Sequence, residues 1–171
     1  MKLMLASDIH GSAYYADKMR TAYCKEKADR LILLGDLLYH GPRNELPRDY
    51  APKEVINILN SLKNEIICVC GNCDSEVDQM VLDFPIMADY AVMYDDGITM
   101  YLTHGHVFNP QNPPKLKQGD YLVNGHTHIP ANVQMGDFTY INPGSVSIPK
   151  ENSNHSYMIF ENGEFTLKEL K

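Results

Sequence analysis

Five short stretches of this chain close an apolar run with residues that ligate hard or borderline divalent cations: Asp8-Ile9-His10, Gly35-Asp36, Gly71-Asn72-Cys73-Asp74, Thr103-His104-Gly105-His106 and Gly125-His126-Thr127-His128. Carboxylate, imidazole and amide oxygen in one set suit Mn, Fe, Zn or Co better than Ca. Asp8 and His10 stand two apart, as do His126 and His128, so an extended backbone would send both members of a pair to one side, as a shared ion requires. Asp36 is the candidate bridge between two ions, which in such sites lie about 3.5–4 Å apart. Taken singly, the motifs have structural readings: Asp8 as a cap for the helix that begins near Ser12, Gly35-Asp36 as a turn. Two imidazoles at one strand end rarely serve packing alone, and five such motifs in sequence define one polynuclear metal site.

The elements that must position these residues follow from the apolar pattern. Residues 2–7, 30–34 and 66–69 read as strands and residues 12–27, 52–61 and 75–82 as helices, an alternation that implies parallel strands with crossover helices. In open α/β sheets of this kind ligands gather at the carboxyl ends of the strands. From residue 90 onward the signals change to strands at 91–94, 98–103, 121–124, 138–141, 157–161 and 164–168, with turn pairs Asp96-Gly97, Gly136-Asp137 and Asn162-Gly163. Such turn pairs imply hairpins and antiparallel pairing. The expected fold is α/β, two mixed sheets face to face with helices outside, in one domain over residues 1–171. A long irregular segment at 39–51 follows Asp36, and loops of that length often serve function.

Charge and composition exclude several classes. Against 22 Asp+Glu there are 15 Lys+Arg, a formal charge of -7, and no basic block or basic amphipathic stretch to hold a nucleic-acid backbone or an anionic membrane. A nuclease is disfavoured for the same reason. Residues 1–7 lack the length of a secretory signal, and no apolar stretch is long enough to cross a bilayer. Cys24, Cys68, Cys70 and Cys73 therefore read as reduced thiols in a cytoplasmic protein, Cys68 and Cys70 as small apolar residues of a strand. A zinc site at Cys68, Cys70 and Cys73 lacks a second cysteine pair. With 11 Tyr and no Trp there is no clear interface patch, although the sequence allows a homo-oligomer.

The five motifs, with Tyr39-His40-Gly41-Pro42-Arg43-Asn44 and Asn142-Pro143-Gly144-Ser145-Val146-Ser147 in support, make nearly the whole chain resemble the calcineurin-like metallophosphoesterases, the small bacterial phosphodiesterases among them above all. The resemblance implies the metallo-dependent phosphatase fold, a four-layer α/β/β/α sandwich. It implies that Asp8, His10, Asp36 and His128 hold one divalent ion and Asp36, Asn72, His104 and His126 a second, manganese first, with Zn, Ni, Fe or Mg as alternatives. The reaction implied is attack of a metal-bridging hydroxide on phosphorus, in line with the departing alkoxide, on a small phosphodiester.

One position departs from the wider family: Cys73 stands where a histidine is usual, a residue that protonates the leaving oxygen or stabilises the transition state. Beside two cations a thiol of ordinary pKa about 8.5 is driven towards thiolate, which donates no proton and repels phosphate. The expectation is weak general-acid catalysis and a preference for good leaving groups; the alternative is that Cys73 only fills space. His106 either supplies the missing proton or hydrogen-bonds a backbone carbonyl. His40 and Arg43 either contact phosphate or belong to a rigid cap, the cap being favoured. Asp74 is expected to orient a ligand such as His104, and His155 to lie on the surface. Asn72, Cys73, His104 and His106 are thus the candidate catalytic residues. A phosphomonoesterase using the same metals is the nearest rival, and a scaffold with this fold and little activity is a third reading.

Overall fold

Runs such as Leu3-Met4-Leu5-Ala6 and Leu31-Ile32-Leu33 carry apolar side chains on both faces, the signature of strands covered on both sides. The computed structural model describes residues 1–171, with elements in the order β1 (Lys2–Ala6), α1 (Ala13–Glu26), β2 (Arg30–Leu33), α2 (Pro52–Asn60), β3 (Ile66–Cys68), α3 (Glu76–Gln79), β4 (Ala91–Asp95), β5 (Ile98–Leu102), β6 (Tyr121–Val123), β7 (Ala131–Met135), β8 (Phe138–Asn142), β9 (Ser156–Glu161) and β10 (Glu164–Glu169). They form two five-stranded sheets, β10-β9-β1-β2-β3 and β4-β5-β6-β8-β7. Strands β1, β2 and β3 run parallel, as expected from the alternation of strand and helix.

Strand alternation divides the core in two. Met4, Ala6, Leu31 and Leu33 face Met19 and Tyr23 of α1 and Val55 and Leu59 of α2. Leu3, Leu5, Ile32 and Leu34 face the other way, onto Met100, Leu102, Val123 and Ile141 of the second sheet. The sandwich is therefore present, helices outside the first sheet. No helix follows α3; beside the outward-facing Tyr101 the fourth layer is irregular chain, with Phe108, Pro113 and Pro114 lining a groove there.

All three turn pairs make their hairpins: β4 with β5, β7 with β8, and β9 with β10. Two expectations need correction. The second half is not wholly antiparallel, because β6 runs parallel to both β5 and β8; no helix makes these crossovers, the first being irregular chain and the second containing β7. The helix expected over 75–82 stops at Gln79 despite a capping box between Ser75 and Asp78. Leu82, Phe84 and Ile86 are buried at every second residue, an extended spacing, and the Gln79 side chain bonds the carbonyls of Leu82 and Phe84 and the N–H of Ile86. Strand β7, Ala131-Asn132-Val133-Gln134-Met135, alternates apolar and polar residues, yet it was not among the expected strands; it is exposed along most of its length.

Candidate metal centre

Every candidate ligand lies just beyond a strand's carboxyl end: Asp8 and His10 after β1, Asp36 after β2, Asn72 after β3, His104 after β5, and His126 and His128 after β6. The strands deliver them but do not orient them. Asp8, His10, Asp36, His126 and His128 all have left-handed backbone, φ 59°, 48°, 56°, 65° and 63°, where a side chain costs conformational energy and persists because the surrounding structure holds it. The extended pairing expected for Asp8/His10 and His126/His128 is thus replaced by left-handed residues alternating along the loop. Ser12, not Asp8, caps α1, accepting the Tyr15 N–H at 3.3 Å.

Two clusters result. In the first, His10 Nε2 and His128 Nε2 lie 3.2 Å apart, and Asp8 Oδ1 stands 3.6 Å and 3.3 Å from them. In the second, His104 Nε2 lies 3.1 Å from Asn72 Oδ1, 3.2 Å from His126 Nδ1 and 3.3 Å from Asp36 Oδ2. Asp36 Oδ2 is also 3.7 Å from His10 Nε2, so this one carboxylate oxygen faces both clusters. The far nitrogens are engaged elsewhere: His10 Nδ1 meets the Tyr39 carbonyl at 2.8 Å, His104 Nδ1 that of Leu34 at 2.6 Å, and His128 Nδ1 that of Ile148 at 2.5 Å. A carbonyl can only accept, so Nδ1 carries the proton and Nε2 turns a lone pair inward. Asp8 Oδ1 is buried with no hydrogen-bond partner. Buried groups whose lone pairs face one another in this way fit a divalent cation.

Without a cation, protons balance the charge. Burial pushes the Asp8 and Asp36 carboxyls up, but the neighbouring imidazoles outweigh it and hold both below the usual range. Burial likewise disfavours charge on His10 and His104, yet the carboxylates raise both, His104 to about 9. His126 is lowered, by burial and then by His104.

A framework of main-chain bonds fixes the ligands. Asp74 does not touch His104; its carboxylate accepts the N–H groups of Asp36, Leu37 and Gly71, each at 2.8 Å. The expected partner was wrong because the backbone of residues 35–37, not an imidazole, fills the space beside it. Ser145 and Ser147 hydroxyls both donate to the Asp8 carbonyl, at 2.9 and 3.0 Å, and the His126 N–H donates to Asp8 Oδ2 at 3.0 Å. Gly71 has to be glycine: a Cβ there would lie 2.1 Å from Asp36 Oδ1.

Other candidates separate. Cys73 lies half-buried at the wall, its N–H donating to Asp36 Oδ1 at 2.8 Å, and burial with the Asp36 charge pushes its thiol up to about 12. His106 is exposed, bonds no backbone carbonyl, and lines a second cleft beyond His126. His40 packs edge-on against Tyr39 and Tyr50, and its carbonyl accepts the Asn44 side chain at 2.8 Å; the 39–51 segment is a braced cap, while Arg43 lines the cavity. His155 is a half-buried residue and not a free surface side chain: it stacks on Tyr15 at 3.8 Å and bonds the Val146 carbonyl. Sequence reasoning missed Lys150, which lines the same cavity of about 450 Å³. Its only signal was adjacency to the Asn142–Ser147 run.

A two-sheet sandwich that gathers such clusters at its strand ends defines a class, and the chain matches the calcineurin-like phosphoesterase superfamily domain over residues 1–164 and belongs to that family. It is 49% identical over 162 residues to phosphodiesterase YfcE of Escherichia coli, covering 95% of this chain and 88% of that protein. The structure of that Escherichia coli phosphoesterase superposes with a TM-score of 0.98 at 48% identity, over 99% of this chain and 93% of that one. The Vps29 protein of Entamoeba histolytica in its complex with zinc shares the fold alone, with a TM-score of 0.56 at 18% identity over 98% of this chain and 97% of that one. No helix is long and apolar enough to cross a membrane.

Proposed function

We propose that this protein is a metal-dependent phosphodiesterase that hydrolyses small phosphodiesters at a site for two divalent ions. The observation that carries the reading is Asp36 Oδ2, 3.3 Å from His104 Nε2 and 3.7 Å from His10 Nε2, a single carboxylate oxygen between two clusters of inward lone pairs. Asp8, His10, Asp36 and His128 would hold one ion; Asp36, Asn72, His104 and His126 would hold the other. Manganese is the first choice, with Zn, Ni, Fe or Mg as alternatives. When bound, such ions make hydroxide available near neutral pH and offset the charge of phosphoryl oxygens. Asp8 and Asp36 are ionised in advance, and the carbonyl bonds at His10, His104 and His128 hold the imidazoles in the ligating tautomer. At 49% identity, the relative called a phosphodiesterase supports the same ester class.

Cys73 favours diesters over monoesters. It occupies the cavity wall beside Asp36, and as thiol or thiolate it is a poorer proton donor to an alkoxide than an imidazolium would be. The test is to strip the protein of metal, reload it separately with Mn, Zn, Ni or Mg, and assay a bis-aryl diester against the matching aryl monoester. The expected result is diester turnover restored by one or two of the metals and abolished by chelation. Turnover of the monoester alone would establish a phosphomonoesterase, and tight metal binding with no hydrolysis would establish a scaffold.

A further inference from the structure

Two cations that the metal clusters do not use stand in the cavity over them. Arg43 comes from the 39–51 cap and Lys150 from the loop after β8. Both are exposed to the cavity's solvent and neither pairs with a carboxylate. The other three arginines do: Arg20 lies against Asp17, Arg30 against Glu65 and Arg48 against Asp49. In a chain of net charge -7, two unpaired cations in one cavity whose only lining carboxylate is Asp36 are a local reversal of charge.

Their main chains are fixed in place. The Asn44 side chain donates to the His40 carbonyl at 2.8 Å, closing the turn that carries Arg43, and a Cβ on Gly41 would lie 3.3 Å from Cys73 Sγ, which sets this turn beside Cys73. The Lys150 N–H donates to the His128 carbonyl at 3.3 Å, and the Ser153 hydroxyl donates to the Lys150 carbonyl at 2.6 Å. Lys150 is thus tied to the backbone of His128 in the metal centre, and the Arg43 turn is braced on His40 and set beside Cys73, so neither cation is carried on a free loop tip.

Across His126 and Thr127, which line both spaces, lies a second cleft of about 370 Å³. It holds no lysine, arginine or carboxylate; Asn109, Gln111 and Tyr140 supply amide and phenol groups. The two spaces beside the metal centre therefore differ in charge, one cationic and one neutral and polar.

We propose that the substrate is an asymmetric phosphodiester in which one alcohol carries a further anionic group, a carboxylate or a phosphate, held by Arg43 and Lys150, while the other alcohol is neutral and polar and lies towards Asn109 and Gln111. This rests on the phosphodiesterase reading above. A diester phosphoryl group carries a single negative charge, and the metal centre answers it; Arg43 and Lys150 have no counter-charge until the substrate brings one. The guanidinium offers paired N–H donors to a planar or tetrahedral oxyanion and the ammonium adds a point charge.

The test separates recognition from turnover. Ethylphosphonate and 2-carboxyethylphosphonate hold phosphorus through a C–P bond that phosphoester hydrolysis does not cleave, and they differ only in the added acid. Calorimetric titration into the manganese-loaded protein at low ionic strength should show the carboxylated probe binding about tenfold more tightly, an advantage that shrinks as salt rises. Arg43→Gln and Lys150→Gln should each remove part of the advantage, and the double variant all of it, with manganese content unchanged. Lys53→Gln, an exposed charge outside the cavity, should retain it in full. Equal binding of the two probes to the wild-type protein, or an advantage that survives in the double variant, overturns the proposal. Failure to hydrolyse any diester would instead overturn the phosphodiesterase reading and leave this binding result standing.

Discussion

His10 and His128, 118 positions apart in the chain, face each other through Nε2 atoms 3.2 Å apart, and each offers its Nδ1 to a main-chain carbonyl. Two lone pairs cannot share such a distance without a proton or a metal ion between them. The metal-free protein uses protons, with His10 raised and His104 raised to about 9.

Metal uptake must therefore release protons. A group with a pKa of about 9 is protonated at neutral pH and has to lose that proton to ligate, so about one proton should leave from His104 alone, and affinity should climb with pH until roughly 9. Titration of manganese in buffers of different ionisation enthalpy measures the release; heats independent of the buffer would refute it. The same shift governs the metal-free fold. His104 is raised above its ordinary 6.5, so its contribution to stability is complete below that pH and is lost as pH rises through about 9. Asp8 and Asp36 are depressed below 3.8, so theirs is present above that value and lost on acidification through their lower folded-state pKa values. Urea unfolding of the stripped protein should give its highest midpoint between about pH 4 and 6.5.

Asp74 hydrogen-bonds none of the candidate ligand side chains, yet it holds the loop that carries Asp36 through the N–H groups of Asp36 and Leu37 and joins it to its own loop through that of Gly71. Asp74→Asn keeps the shape but exchanges an accepting oxygen for an amide donor that must face an N–H. Manganese affinity should fall about 10–100-fold, as when groups supporting a ligand are altered. Metal content after dialysis against graded chelator reads this directly; unchanged affinity would show that the Asp36 loop holds its form unaided.

Gly125 lets β6 and β1 meet behind the site. A Cβ there would lie 1.9 Å from Ser7 Oγ and 2.8 Å from Asp8 Oδ2, so Gly125→Ala should destabilise by about 1–3 kcal/mol, the usual range for overpacking, and displace Asp8 enough to weaken metal binding. Ser7 Oγ is buried without a hydrogen-bond partner, so its removal sacrifices no bond. Ser7→Gly should then rescue part of the loss in the double variant, and a cycle of unfolding free energies with no coupling between the two sites would contradict the contact.

The residue types of the site were legible because Asp, His and Asn end apolar runs, and the hairpins because Asp96-Gly97, Gly136-Asp137 and Asn162-Gly163 announce their turns. Their orientation was not legible. Asp8, His10, Asp36, His126 and His128 adopt left-handed backbone through bonds such as those from Ser145 and Ser147 to the Asp8 carbonyl, which join residues about 140 positions apart only after folding. Strand β7 was legible but short: Ala131, Val133 and Met135 alternate with Asn132 and Gln134, an apolar face that the edge position leaves largely exposed. Lys150 escaped notice because an isolated lysine reads as a solvated surface charge until the His128 carbonyl is seen to fix its backbone.

Cys73 gives the sharpest test of ester class. Burial, then the charge of Asp36, pushes its thiol up to about 12 in the metal-free protein, whereas bound cations would pull the other way, towards thiolate. Neither form is matched to donate a proton near neutral pH. The wild-type rate should therefore depend steeply on the leaving group, fast for aryl alcohols and slow for alkyl ones. Cys73→His places at the same wall an imidazole whose ordinary pKa is about 6.5, close to the working pH. Turnover of an aryl-alkyl diester losing its alkyl alcohol should rise by about 10–100-fold, while loss of the aryl alcohol changes little, because general-acid catalysis contributes only where the departing oxygen is basic. The plot of log kcat against leaving-group pKa measures both rates together, and it should flatten in the variant. Parallel plots for the two proteins would show that position 73 only fills space beside Asp36.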